Sequence, residues 1–432
     1  KDFNEYDIVK KVTTLYKNGS NIEKTKINKY DYLDQVTSNS LYIGRLSIEE
    51  ENISINNDFT SKQKVYSYDL NDNSVTSIRT KGYETNEVTE EFEYDDFGNL
   101  KKSKMFCDGL NIPREESFEY EETGRFLKSY TDSNNLVTNY DFDYSKGLLK
   151  SVKVHSSDDY PLITKFEYDS WGKKILETDY LNKSIKINYS WINSSVNGHY
   201  KISTTGDDGS FSVEYYNSLG RKIAEGSKTV NDLANNESNI SWKSFEYDIY
   251  GRVVKAYEPI FSDSPSWTGI CSSTTYDSYG RVIKLTEPTG KITNFNHTGL
   301  ITIASDGISN VKSIRDSSGN VTTSIDNGGT ITYEYFANGN LKKSNFNGSE
   351  TIIEQDGWGR KVKLTDSSAG IYLYKYNDIG EILQTATPKG ITDYFYDDYG
   401  NIAEEKIIGL GGDTTNLLRK YHYDDNTKDL IK

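Results

Sequence analysis

The sequence predicts an all-β fold built as a tandem array of antiparallel β-hairpins. Three observations carry this. Tyrosine is followed four residues later by glycine nine times along the chain. A second turn, marked by proline and glycine, recurs between those points. The stretches between turns are rich in Thr, Ile, Val, Tyr and Phe, which suit a pleated, half-buried surface.

The pairs are Tyr94 with Gly98, Tyr120 with Gly124, Tyr168 with Gly172, Tyr216 with Gly220, Tyr247 with Gly251, Tyr276 with Gly280, Tyr335 with Gly339, Tyr376 with Gly380 and Tyr396 with Gly400. At these abundances chance would give roughly three, so the fixed spacing marks a structural repeat. Phe245-Glu246-Tyr247-Asp248-Ile249-Tyr250-Gly251-Arg252-Val253 shows the unit, and Thr275-Tyr276-Asp277-Ser278-Tyr279-Gly280-Arg281-Val282 repeats it. A strand runs into Tyr-Asp, two variable residues, Gly, a polar residue and another strand. Asp at the first position of a type I turn accepts a bond from the backbone two residues on, and glycine at the fourth accepts positive φ. Together they twist the flanking strands in the sense a hairpin needs.

The second turn is seen in Thr286-Glu287-Pro288-Thr289-Gly290 and Thr387-Pro388-Lys389-Gly390. Proline there sets φ at the second position, and glycine is expected to supply the reversal. The period is 20 residues from Tyr376 to Tyr396, and 24 from Tyr120 to Tyr144 and from Tyr144 to Tyr168. Two short strands and two turns fit that length. The residue before the repeat glycine is often aromatic, as Trp171, Tyr250, Tyr279, Trp358 and Tyr399 show, and reads as packing between neighbouring turns. Residues 231–236 have room for one helical turn at most, and 262–273 and 409–415 read as loops. Some units are degenerate. Tyr68-Asp69 lacks its glycine, Tyr144 meets Gly147 one residue early, and Gln355 replaces the tyrosine before Asp356-Gly357-Trp358-Gly359. Residues 1–65 alternate like strands without the signature and read as degenerate repeats or capping strands. Residues 66–432 read as the array, expected to be continuous with that segment and truncated at both ends.

Composition agrees with a thin sheet. The hydrophobic fraction is only 34%, yet 35 of the 432 residues are tyrosine. Tyrosine covers a sheet face while its hydroxyl stays near water. Length alone suggests several domains, but a repeat array grows without adding separate cores. The 50 basic residues are scattered among 65 acidic ones, so no phosphate-binding face is marked and nucleic acid is excluded as a partner. No run of 18 apolar residues occurs, so this segment is not expected to insert into a membrane. Cys107 and Cys271 have neither metal-ligand nor disulfide-framework spacing; a bridge and two free thiols both stay open.

The Tyr-Asp-x-x-Gly-Arg units over residues 66–425 resemble the RHS/YD-repeat family. The resemblance implies hairpins zipped edge to edge into one long spiralling sheet that forms a shell or part of one. In bacterial toxin-complex B/C subunits and polymorphic toxins such a shell holds a toxic domain; in teneurins it belongs to a cell-surface adhesion receptor. The implied function is therefore a structural shell segment of a secreted bacterial toxin or effector, enclosing or presenting cargo. The alternative is an extracellular or cell-surface adhesion or carbohydrate-binding module. Implied partners are neighbouring segments of a larger RHS-type protein or toxin assembly, with polypeptide cargo and glycan both left open. The implied location is secreted or at the cell surface. The family's self-cleaving motif contains Asp-Pro, a dipeptide this sequence lacks, so no protease residues are carried over.

No other chemistry stands out. His155, His199, His297 and His422 are isolated and read as strand or surface histidines. Asp69–Asn73 and Asp316–Asn320 resemble calcium loops, but the first lacks the loop glycine and the terminal bidentate glutamate, and a turn is the better reading. The tryptophans could stack on sugars, but packing is the simpler reading. No catalytic residue, cofactor or metal is assigned, and the segment reads as non-enzymatic.

Overall fold

The computed structural model describes the chain apart from residues 5, 37–40, 57, 111, 155–161, 193–197, 229–239, 413 and 425–432. His155 and the 231–236 segment thus lie outside the described residues. The described residues contain 36 strands and no helix. Successive strands pair antiparallel, as Glu87–Tyr94 does with Leu100–Cys107 and Gly390–Tyr396 with Ile402–Gly409. The fold class is all-β, made of tandem antiparallel hairpins. Two compact units form: one joins Lys1–Val137 to Lys312–Lys432, and the other is Thr138–Val311.

The repeat turn has one geometry. At Gly98 the Asp95 N–H donates to the Asn99 carbonyl at 2.9 Å, and the Gly98 N–H donates to the Asp95 carbonyl at 3.0 Å. The ladder register slips between Glu93 and Tyr94. This is a type I turn closed by a left-handed glycine, the arrangement called a G1 bulge. The nine repeat glycines have φ between 69° and 100°. The Asp95 carboxylate accepts from the Phe97 N–H at 2.9 Å and the Asn99 N–H at 2.8 Å, which secures the turn from inside. Asp316 does the same for Ser318 and Asn320, so the oxygen side chains there serve backbone.

Two expectations about turns need correction. Gly290 has φ 85°, but Gly390 lies in a strand, where Thr387 pairs with Gly390 around Pro388-Lys389. The matched prolines therefore mark different turns. Glycine at 390 answers a close approach instead: a Cβ there would lie 2.7 Å from the Ile408 carbonyl oxygen. Tyr144 is not a repeat tyrosine. Asp143 opens that turn, its carbonyl accepting from Gly147 N–H at 2.7 Å, so Phe142 holds the tyrosine's place and the 24-residue spacings were measured from a turn residue.

In the first unit the early strands are long, with 16 residues in Asn21–Val36 and 15 in Leu41–Ile55. No turn punctuation interrupts them. In the second unit Val213, Ala224 and Trp242 form a small core, flanked by Phe211, Tyr215, Ile240 and Trp267. The Trp242 indole N–H donates to the Ser262 carbonyl at 2.8 Å, and that of Trp267 to the Phe245 carbonyl at 3.2 Å. These two bonds pin the segment between Tyr257 and Cys271 onto the sheet. Residues 262–270 form the expected loop, but 271–273 do not: they open the strand Cys271–Tyr276, and just before the loop Ile260–Phe261 pairs with Ser241 and Trp242. Both cysteines are free thiols.

Candidate functional site: the tyrosine–glycine edge

Five of the repeat tyrosines do more than cover a face. The Tyr247 hydroxyl donates to the Lys222 carbonyl at 2.6 Å, Tyr276 to Val253 at 2.9 Å, Tyr335 to Val321 at 2.7 Å, Tyr376 to Lys361 at 3.0 Å and Tyr396 to Ile382 at 2.8 Å. Every acceptor lies two residues past the glycine of the preceding repeat turn. In these five units the hydroxyl ties a hairpin to the one before it, whereas the Tyr216 hydroxyl donates to the Glu214 carboxylate at 2.7 Å. His297 holds the same place in a unit that lost its tyrosine, with Nε2 2.8 Å from the Val282 carbonyl oxygen. Phenylalanine could fill the same volume but could not donate.

The polar residue after the glycine makes a second tie. Asn99 Nδ2 donates to the Gly124 carbonyl at 2.7 Å, Asn340 to Gly359 at 2.9 Å, and Arg360 Nη1 to Asn377 at 2.7 Å, each reaching the next turn. Arg252 instead holds its own turn, donating from Nε to Asp248 Oδ2 at 2.6 Å. Its guanidinium lies 4.5 Å from the centroid of the next repeat's Tyr276 ring. Loss of water around Asp248 pushes its carboxyl up. Bonds from the Arg252 N–H and guanidinium outweigh that and hold it below the usual carboxylate range.

Two expected results follow from the part-buried tyrosine hydroxyls. Tyr247→Phe should lower stability by about 1 kcal/mol, because the Lys222 carbonyl loses its donor; the denaturant midpoint measures it. Burial pushes the hydroxyls of Tyr247, Tyr335 and Tyr396 above their usual value. Burial together with the Glu214 carboxylate pushes Tyr216 up to about 12. A folded-state value raised above the unfolded one, about 10, adds stability that is complete below that pH. It is lost as pH rises through the folded values. The denaturant midpoint should therefore fall between about pH 10 and 12, less steeply in Tyr216→Phe than in the unmodified chain.

The first unit brings this edge against a second ribbon. Turns at Asp316, Phe336, Asp356, Asn377 and Asp397 meet the opposite-end turns of the first 137 residues, in the same order along both segments. Glu23 accepts from the Ser317 N–H at 2.7 Å, and Asp58 from the Ala337 N–H at 2.6 Å. The Ser317 N–H holds the Glu23 carboxyl below the usual range. The Tyr83 N–H donates to the Gly357 carbonyl at 3.1 Å. Asn86 Nδ2 donates to Asp378 at 3.1 Å. Arg114 pairs with Glu381 at 2.8 Å and also donates to the Asp398 carbonyl. Asn401 Nδ2 donates to Asn134 Oδ1 at 3.0 Å. A cleft of about 530 Å³ opens along this seam, lined by Glu23, Asp58, Asp316, Tyr335 and Lys342 among others.

The seam corrects the reading of the aromatic turn residues. Trp358, Ile379 and Tyr399 are half-buried where the earlier ribbon covers them. Trp171, Tyr250 and Tyr279, at the same turn position in the second unit, are exposed. Neighbouring turns of one ribbon therefore do not bury this side chain; it projects from the hairpin end, and a second ribbon is needed to cover it. Sequence reasoning placed the nine Tyr/Gly pairs but missed Glu23, Asp58, Arg114 and Gly357. Only Gly357 left a signal, as an extra glycine inside Asp356-Gly357-Trp358-Gly359.

No protein-family model matches the sequence, and no curated protein matches it. Solved structures do. The chain matches the crystal structure of TcdB2-TccC3 with a TM-score of 0.70 at 12% identity, over 94% of this chain and 28% of that one. It matches TcdB2-TccC3 without its hypervariable C-terminal region with a TM-score of 0.73 at 11% identity, over 94% and 30%. The chain spans less than a third of the length of those chains. At this identity the likeness establishes a shared fold, a wall of tandem antiparallel hairpins.

Proposed function

We propose, from the premise that this chain carries the hairpin-wall fold of TcdB2-TccC3, that it is a structural wall segment of a secreted bacterial toxin or effector. In this reading it encloses or presents a polypeptide cargo, acts beside other segments of a larger assembly, and performs no catalysis itself. The observation that carries it is the seam. Residues 312–432 and 1–137 meet turn against turn, so two ribbons join edge to edge in the first unit. Continuous backbone pairing plus a turn-to-turn seam gives a barrier to diffusion of a polypeptide, which a set of separate hairpins would not.

Protease protection tests this. In the natural full-length protein, a polypeptide outside residues 1–432 should resist digestion at neutral pH. It should become digestible when the seam is weakened by Gly357→Ala. Digestion of every outside segment at the rate of a free chain would remove the enclosing role. Exposed Trp171 and Trp191 favour a second reading, an extracellular adhesion or carbohydrate-binding module. Glycan binding that disappears in Trp171→Ala with Trp191→Ala would support it over the first.

A further inference from the structure

The second unit carries a cleft that the hairpin ladder does not use. The strands Tyr200–Gly206, Phe211–Tyr216, Lys222–Lys228 and Ile240–Tyr247 lie side by side. One face of them carries the core residues Val213, Ala224 and Trp242. Alternate residues point to the other face, and pairing in register sets them in straight rows. Thr204, Ser212, Ser227 and Ser241 stand opposite one another and make a row of hydroxyls across all four strands. Two residues along each strand, Ile202, Glu214, Glu225 and Lys243 make a second row. Two residues further, Tyr216 stands opposite Tyr200, and Tyr200 opposite Trp191. The first two rows, with Pro259, line a cleft of about 530 Å³, within the size range of small-molecule sites.

The polar groups of the cleft are held in place. Lys222 Nζ lies 3.1 Å from Glu214 Oε1 and 2.6 Å from Glu225 Oε2, and the Tyr216 hydroxyl donates to Glu214 Oε2. Both carboxylates are thus oriented before any ligand arrives. The four hydroxyls of the first row bond to nothing among the described residues, whereas Thr178 and Ser184, opposite each other in a neighbouring strand pair, bond each other at 3.2 Å. The aromatic row is braced as well. Tyr200 and Tyr216 stack with centroids 4.9 Å apart, and Trp191, 71% exposed, packs edge-on against Tyr200.

The chemistry selects the ligand. These strands are paired along both sides, so they offer no free edge to an extended peptide. Two carboxylates in the cleft disfavour phosphate, sulfate and other anions. A hydroxyl both donates and accepts, and a carboxylate accepts, which together match the hydroxyls of a sugar. The aromatic row suits the apolar face of a sugar ring. The hydroxyl row spans three strand spacings, about 14 Å, so the match is to more than one ring. We propose that this cleft binds a neutral oligosaccharide, its hydroxyls on the serine row and Glu225 and one ring against Trp191. The site rests on the second reading above and gives it a location.

An array of neutral and acidic glycans probed with residues 1–432 tests it, with calorimetry on the strongest hit. Neutral oligosaccharides should bind and acidic ones should not. Ser212→Ala with Ser227→Ala should weaken binding about tenfold or more by removing two central hydroxyls, and Trp191→Ala should weaken it about fivefold. Ser212 and Ser227 are exposed, so the thermal midpoint of the serine variant should be unchanged, which separates a lost site from a lost fold. Tyr279→Ala, at a turn outside the cleft, should bind as the unmodified chain does. No glycan bound at all would overturn both this site and the second reading. A glycan bound equally well by the serine variant would overturn the site and leave that reading standing. Preference for acidic glycans would overturn the assigned ligand.

Discussion

Gly357→Ala is expected to part the two ribbons of the first unit. A Cβ built on Gly357 overlaps the Tyr83 carbonyl oxygen, and one on Gly82 would lie 2.5 Å from the Gly357 carbonyl oxygen. Both obstacles are backbone, so no rotamer change relieves them. The turn must retreat, and the bond from the Tyr83 N–H to Gly357 goes with it. Overpacking and the lost bond together suggest about 3 kcal/mol. Gly339→Ala supplies the contrast. Its φ is 95° and nothing lies within 4 Å of a Cβ there, so it should cost about 1–2 kcal/mol of backbone strain and leave the seam closed. Hydrogen exchange at the Tyr83 amide separates the two: it should speed up in Gly357→Ala beyond the loss of global stability, and in Gly339→Ala only in proportion to it. Equal acceleration in both would show that Gly357 is merely a turn glycine.

Arg114→Ala should give the other large effect. Arg114 and Glu381 form the most enclosed ion pair of the seam, with side chains only 13% and 19% exposed. The same guanidinium donates to the Asp398 carbonyl, so one side chain holds two successive turns of the later ribbon. Removing it strands a half-buried carboxylate and a carbonyl. Breaking a fully buried pair costs about 3–5 kcal/mol, and the residual exposure reduces that to about 2 kcal/mol. Lysine should restore little, because an ammonium cannot span both acceptors as the planar fork does. A double-mutant cycle with Glu381→Ala should return a coupling of about 1 kcal/mol or more. A coupling indistinguishable from zero would mean the pair is ornamental. Moderate salt should weaken the effect less than it weakens Lys150 with Asp141, whose side chains are 52% and 55% exposed.

Much of the ladder was legible because its signals are local. Tyr247-Asp248-Ile249-Tyr250-Gly251 states where the chain reverses, since glycine takes the left-handed φ cheaply and the Asp248 carboxylate reaches the Tyr250 and Arg252 N–H groups. Gly390 was misread because proline-glycine spacing is shared by turns of different geometry. A glycine chosen for close approach to Ile408 looks the same in sequence as one chosen for φ. Tyr144 was misread because a one-residue slip keeps the composition while moving the tyrosine from the strand into the turn.

The sequence by itself determined the hairpin: its turns, its antiparallel strands and the low apolar content that forbids a thick core. These follow from interactions within about five residues, which the order of residues encodes directly. Only the tertiary structure decided which turn edges are covered. Glu23 reaches Ser317, Arg114 reaches Glu381 and Asn134 reaches Asn401 across sequence separations of 267–294 residues. Such contacts depend on how far the ribbon bends over many repeats, a sum of small twists that no single motif carries. The same turn residue is therefore covered as Trp358 and bare as Trp171, with nothing in its neighbours along the chain to tell the two apart.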